Sequence, residues 1–298
     1  MGVVIRASAA NADADTLSSV ERGSRAVAAA IAAAGLRPEE IGAIINTGVY
    51  RDSNMVEPAI AALIQKKAGV GLEYAAGSVP SFSFDLMNGA VGVLNAAQVA
   101  GALLATGSAD HVVIVSGDAH PSLDPAGQDG FPFATVGAAL VLRHISGPAG
   151  FGNLHTASDD GAAPPEGYLK PYEAGASGRS AITVDRPAGL AARLVPLAAR
   201  AARAAVGESG LDLATTLVVS SRPTEDFAGA LATALGVPEP SVVVARAEAD
   251  PHTSAIPLAY HQIAEAGRLE GFEHILFVAA GGGPTAAAIA YRLPEAQP

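Results

Sequence analysis

The sequence predicts an α/β fold built from two repeated halves, stacked as five layers in the order α-β-α-β-α. Three observations carry this reading. Short runs rich in Val and Ile alternate with helical patterns, and these runs are apolar almost throughout, as strands are in sheets covered on both faces. The order strand, helix, strand, helix, strand, helix, strand, strand (βαβαβαββ) occurs twice, and self-similarity at this scale means two packed copies of one supersecondary unit. Finally, half of the 298 residues are apolar and only 16% are charged. Alanine and glycine dominate, so helices and sheets can approach closely.

In the first half, strands are expected at residues 3–7, 41–49, 81–86, 111–116 and 134–142. Helices are expected at 20–34, ended by Gly35, and at 58–68 and 90–105. A Pro/Gly loop, 121–132, replaces a helix between the last two strands. In the second half, strands are expected at 152–157, 216–221, 241–247, 274–280 and 285–292, with helices at 188–206, 226–235 and 254–268. The halves divide as 1–148 and 149–298 and pack into one unit. The stretch 159–180, rich in Gly and Pro, joins them and reads as a loop able to cap a pocket or an interface. The third helix of each half belongs between the sheets; 90–105 fits that place because it is apolar nearly all round.

Composition also excludes. There is no cysteine, hence no disulfide and no cysteine-ligated metal. His111, His144, His155, His261 and His274 lack metal-like spacing, so no metal site and no cofactor are expected. The net charge of −11 argues against nucleic acid and gives no support for an anionic membrane surface. No apolar run approaches a membrane span, and the N-terminus has no charged region followed by an apolar stretch. A soluble, cytoplasmic protein is expected.

The segment Phe84-Asp85-Leu86-Met87-Asn88-Gly89-Ala90 is the most informative. A strand turning sharply into a buried helix exposes one residue at the helix N-terminus, where unpaired N–H groups and the helix dipole favour an anion. A thiolate nucleophile belongs there. Here the position carries the methyl group of Ala90.

This segment, with Gly35-Leu36-Arg37-Pro38-Glu39-Glu40-Ile41, the strand near Thr135–Leu142 and Gly281-Gly282-Gly283-Pro284-Thr285, resembles the thiolase fold, and within it the β-ketoacyl-acyl carrier protein synthase III group and its acyltransferase relatives. The resemblance runs from about Arg22 to Arg292. It implies that the nucleophilic cysteine of the family falls on Ala90. The family's histidine falls on Ser221, followed by Arg222-Pro223-Thr224, and its asparagine on His252. It implies an acyl-CoA or acyl carrier protein thioester as the partner, and acyl transfer or Claisen-type condensation as the chemistry, in fatty acid, polyketide or secondary-metabolite synthesis. A homodimer, or a heterodimer with a homologue, is implied as well, since the strand at 81–86 commonly pairs across a two-fold axis in this fold.

His252 is the leading candidate for acid–base work or for polarising a thioester carbonyl. Ser221 either points into the site or serves a turn. Gly282 and Gly283 would bring backbone close to an acyl group, or simply form a turn. Asn88 turns the elbow, Arg222 would attract a phosphate of the thioester carrier, and Asp85 anchors the elbow. His120 reads as structural. Three readings of the chain stand open. Ala90 marks a nucleophile position in an enzyme whose cysteine has been replaced; the chain is a naturally non-catalytic subunit that pairs with an active homologue; or His252 acts directly, without a covalent intermediate.

Overall fold

The computed structural model describes residues 2–54, 57–72, 80–121, 130–161, 166–168, 183–186 and 189–294. The first sheet contains β1 (Gly2–Asn11), β2 (Ala43–Asn46), β3 (Phe82–Asp85), β4 (His111–Ser116) and β5 (Gly137–Ile145), in the spatial order β1-β5-β4-β2-β3. The second contains β6 (Gly150–Ser158), β9 (Thr216–Ser220), β10 (Val242–Val244), β11 (His274–Ala280) and β12 (Thr285–Arg292), in the order β10-β9-β11-β12-β6. In both sheets the strands joined by helical crossovers run parallel and the returning strands antiparallel. Each sheet is therefore the image of the other, as the repeated βαβαβαββ order requires. A two-stranded ladder of β7 (Gly167–Tyr168) and β8 (Thr183–Val184) lies within the connection between the halves.

Three apolar clusters correspond to the three helix layers. α1 (Ser19–Ala33) and α2 (Ile60–Ala68) cover the outer face of the first sheet through Val27, Ile31 and Ile64. α4 (Leu190–Ser209) and α5 (Phe227–Leu235) cover the outer face of the second through Leu194, Phe227 and Leu231. α3 (Gly92–Ala105) and α6 (Ala255–Glu265) lie between the sheets. Leu94, Ala97 and Ala100 of α3 share one cluster with Ile256, Ala259 and Ile263 of α6 and with strand residues of both sheets. Each large aliphatic side chain buried there contributes about 1.5–3 kcal/mol. A further tie between the halves is the Ile5 amide, which donates to the Tyr291 phenol at 3.0 Å.

The differences from the sequence reading have local causes. β1 extends to Asn11, beyond the expected residue 7. After a bulge between Ile5 and Ala7, the small residues Ser8–Asn11 still pair with β5, through backbone bonds that carry no sequence signature. β10 is shorter than 241–247 because Gln262 of α6 takes both the amide and the carbonyl of Arg246, at 2.8 and 2.9 Å. α3 begins at Gly92, not at Ala90, because the amides of Val91 and Gly92 turn back onto the Asn88 carbonyl. Most of the loop at 121–132 and of the connection at 159–180 lies outside the described residues. Among the described residues no helix is long and apolar enough to cross a membrane, and no group of His, Asp and Glu side chains is placed to hold a metal ion.

Candidate active site at the junction of the two halves

The elbow is anchored from below by Asp85. Its carboxylate accepts from the amides of Ile60 and Ala61 at the start of α2, at 3.0 and 2.8 Å. It also accepts from the Asn46 side-chain Nδ2 and pairs with the Arg51 guanidinium. From this anchor the chain turns through Asn88 and Gly89, with Gly89 at φ +51°. A Cβ on Gly89 would lie 2.5 Å from the Gly282 Cα, and one on Gly282 would lie 2.8 Å from the Asn88 carbonyl oxygen. The elbow and the glycine turn of the second half therefore touch backbone to backbone, which no residue with a side chain permits. Ala90, 3% exposed, faces this turn: a Cβ on Gly281 would meet the Ala90 methyl at 3.4 Å. α3 has no side-chain cap at its N-terminus.

His252 stands across this junction, in the turn that leads into α6. Its backbone adopts φ +48°, a left-handed conformation that costs a residue with a Cβ on the order of 1–3 kcal/mol. Two acids hold it there. Asp250 Oδ1 accepts from the His252 amide at 2.9 Å. The fully buried Asp118, just past β4, places Oδ2 3.0 Å from His252 Nδ1. The same oxygen accepts from the Thr253 hydroxyl at 2.6 Å and the Thr253 amide at 3.2 Å, and Oδ1 accepts from the amides of Val49 and Tyr50, each at 2.9 Å. One carboxylate thus joins the loop after β2, the end of β4 and the start of α6. With Nδ1 engaged, Nε2 is the ring nitrogen left for a ligand.

Burial works against charge on the His252 ring, but Asp118, followed by Asp250 and Glu166, outweighs it and holds the imidazole above its ordinary pKa. Burial also opposes the Asp118 carboxylate. The His252 charge and the hydrogen bonds from His252, Thr253 and Tyr50 prevail, so its pKa lies below the usual carboxylate range. The Tyr50 phenol is pushed up by burial, then by Glu166 and Asp118, and stays neutral.

Aromatic rings fix the imidazole from the side. Phe133 stacks on His252 with centroids 4.2 Å apart, and Tyr50 stacks on Phe133 at 5.2 Å. The Arg186 guanidinium lies 4.7 Å from the Phe133 centroid. It pairs with Glu166 at 3.0 Å and with Asp250, and donates to the Pro223 carbonyl. A cavity of about 150 Å³ opens here, bordered by His252, Glu166, Arg186, Thr224, Asp250 and Gly281. Gly281 joins the two parts of the site, since a Cβ there would meet the Ala90 methyl and the residue also lines this cavity.

The other residues singled out from the sequence are engaged locally. The Ser221 hydroxyl is buried between strand ends, donating to the Ala280 carbonyl at 3.2 Å and accepting from its amide at 2.9 Å. Arg222 donates to the carbonyls of Ala247 and Ala249. Asn88 donates to the Asn95 side chain at 2.9 Å. Gly283 has φ +82° and no neighbour near its missing Cβ. Ala90, His252 and the glycine turn come together; Ser221, Arg222 and Asn88 hold backbone or a neighbouring helix. The sequence reading passed over Asp118, Asp250, Arg186, Glu166 and Phe133. Asp118 had a signal: an acid directly after the apolar run 111–116 sits at the carboxyl end of a central strand, where α/β sheets place ligands.

No family model matches the sequence, and no curated protein matches it. Solved structures do resemble the chain. 3-Oxoacyl-(acyl carrier protein) synthase III of Pseudomonas aeruginosa PAO1 is 22% identical, covers 100% of each chain and superposes with a TM-score of 0.81. The priming β-ketosynthase of the R1128 polyketide pathway is 19% identical over 98% of this chain and 96% of its own, with a TM-score of 0.80. OleA of Xanthomonas campestris is 16% identical over 98% and 99%, with a TM-score of 0.77. The chain therefore has the fold of these proteins, the thiolase-like α-β-α-β-α arrangement that the resemblance in its sequence implies.

Proposed function

We propose that the chain acts on acyl thioesters, binding the acyl group at the junction of Ala90, Gly281 and His252 for acyl transfer or Claisen-type condensation. The observation that carries this reading is the buried Asp118–His252 pair beside a cavity that Gly281 shares with the Ala90 elbow. A buried, oriented and charge-coupled histidine is the usual arrangement of an acid–base group. In support, the similar Pseudomonas aeruginosa structure is named as a 3-oxoacyl-(acyl carrier protein) synthase III, and one OleA structure holds lauric acid and lauroyl-CoA. Because a methyl group has no nucleophilic atom, the chain as it stands forms no covalent acyl-enzyme at position 90. His252 carries the proton chemistry, with Asp118 setting its ring orientation.

The test is calorimetric titration of the chain with acyl-CoA and acyl-carrier thioesters. Saturable binding that weakens when Gly281→Leu fills the junction is expected. No binding of any thioester overturns the proposal.

A second reading rests on its own observation. β3 is an edge strand of the first sheet, and Phe82 (42% exposed) and Met87 (52% exposed) lie open on or beside it. An apolar sheet edge favours pairing with another strand, so a dimer with a second copy or with an active homologue belongs to the proposal. In the heterodimer the chain would shape its partner's pocket instead of catalysing.

A further inference from the structure

The cavity beside His252 has walls of two kinds. Leu190, Leu194, Pro223 and Ala280 give it an apolar lining, and Leu194 and Ala280, each 1% exposed, belong to the core of the second half. Glu166 and Arg186 border it from the connection between the halves, and the Arg186 side chain, 26% exposed, meets water as well as the cavity. The volume of about 150 Å³ suits a benzene-sized group. Drug-sized ligands occupy roughly 300–1,000 Å³, and an acyl-pantetheine, with its amide arm, is of that larger class. Only its reacting end fits, so part of the wall must give way for the rest. Side chains in contact with water move before close-packed core does.

The contacts of Arg186 are those of a latch. Within the ladder of β7 and β8, the Asp185 amide donates to the Glu166 carbonyl at 2.8 Å and the Arg186 guanidinium pairs with the Glu166 carboxylate at 3.0 Å. A ladder of two residue pairs is at best marginally stable alone, so its place depends on what it docks against. The same guanidinium reaches across to pair with Asp250 and to donate to the Pro223 carbonyl. It also lies 4.7 Å from the centroid of Phe133, the ring that stacks on His252. Resting on the acyl-thioester reading above, we propose that β7, β8 and the Arg186 side chain form a strap across the thioester's way to His252, latched shut in this structure and released when the ligand enters. Release breaks the contacts to Asp250, Pro223 and Phe133, while the pair with Glu166 travels with the strap. Arg186 thereby sets how fast a thioester reaches the site.

The chain contains no tryptophan, so Tyr168→Trp in β7 places a single reporter on the strap. Its emission is followed by stopped flow against acetyl-, hexanoyl- and lauroyl-pantetheine, with calorimetric binding read alongside. Expected is an emission change whose rate levels off as ligand is raised, because opening of the latch becomes limiting. Adding Arg186→Met removes that ceiling, speeds entry by at least about tenfold and tightens binding, since the open form no longer has to be drawn from a closed one. Arg186→Lys, a point charge in place of the fork, falls between the two. Melting curves confirm folding of both variants.

The ceiling is read in the chain that keeps Arg186, so the test stands even where an Arg186 variant does not fold. A rate that stays proportional to ligand in that chain, or an emission that does not change while calorimetry records binding, overturns the latch. A folded Arg186→Met that enters no faster, or that binds more weakly, makes Arg186 a ligand contact and overturns the latch as well. Each of these results leaves the acyl-thioester reading standing. Absence of calorimetric binding by every thioester, with Arg186 present or replaced, overturns both.

Discussion

Replacing Asp118 by Asn tests how the two halves are held at the site. The carboxylate accepts five hydrogen bonds: two amides on Oδ1, and the His252 ring, the Thr253 amide and the Thr253 hydroxyl on Oδ2. An asparagine can keep its oxygen toward Val49 and Tyr50. Its NH₂ then faces Nδ1–H, N–H and O–H donors, of which the backbone amide of Thr253 cannot turn away. Removing one partner of a buried pair costs about 3–5 kcal/mol. At about 2 °C per kcal/mol for a chain of this size, the melting temperature should fall by about 6–10 °C. The loss should also depend on pH. His252 has a raised pKa in the folded state, so its contribution is complete below the unfolded value near 6.5 and fades as pH rises through the folded value. Asp118 has a lowered pKa, so its contribution is present above about 3.8 and fades as pH falls through the folded value. The deficit of the variant should be greatest between about pH 4 and 6.5 and narrow above that window. Calorimetric melts of both proteins at pH 5, 6, 7, 8 and 9 read it. A drop of less than about 2 °C, or one that is constant across these values, refutes the reasoning.

Other consequences follow from particular contacts. Gly89→Ala forces a Cβ to 2.5 Å from the Gly282 Cα at φ +51°, and should lower stability by at least about 1–3 kcal/mol in denaturant titration while removing thioester binding. Phe133→Ala removes the ring between His252 and Arg186; a loss of about 3–5 kcal/mol is expected from the cavity alone, measured by the same titration. Phe82→Glu places a charge on the β3 edge and should convert a dimer to monomer in sedimentation, with the melting temperature of the monomeric chain little changed.

Much of the architecture could be read from sequence because strand and helix patterns are local. The runs at 111–116, 274–280 and 285–292 coincide with β4, β11 and β12 to the residue, since each is a buried, near-continuous apolar strand. Strand ends governed by side-chain bonds from elsewhere were less legible. β2 stops at Asn46, and Asp118 collects the Val49 and Tyr50 amides of the chain that follows. At the site, Ala90 and the glycine turn were visible because an elbow and a glycine run have recognisable composition. The partner of His252 was not visible: Asp118 lies 134 residues away, and only the packing of one sheet against the other brings them together. Ser221 is a candidate only through the family resemblance. Its hydroxyl bonds the Ala280 backbone, a choice set by strand geometry that no spacing encodes.

The most direct test of acyl-thioester chemistry at this junction is the intact mass of the Ala90→Cys variant after incubation with acyl-CoA and acyl-carrier thioesters. Gly281 offers no side chain against position 90, so the new sulfur meets open backbone beside the glycine turn. The account predicts a rapid gain of one acyl mass, lost when His252 is also replaced. No gain with any donor, alone or with a homologous partner chain, would contradict it and leave a structural or binding subunit.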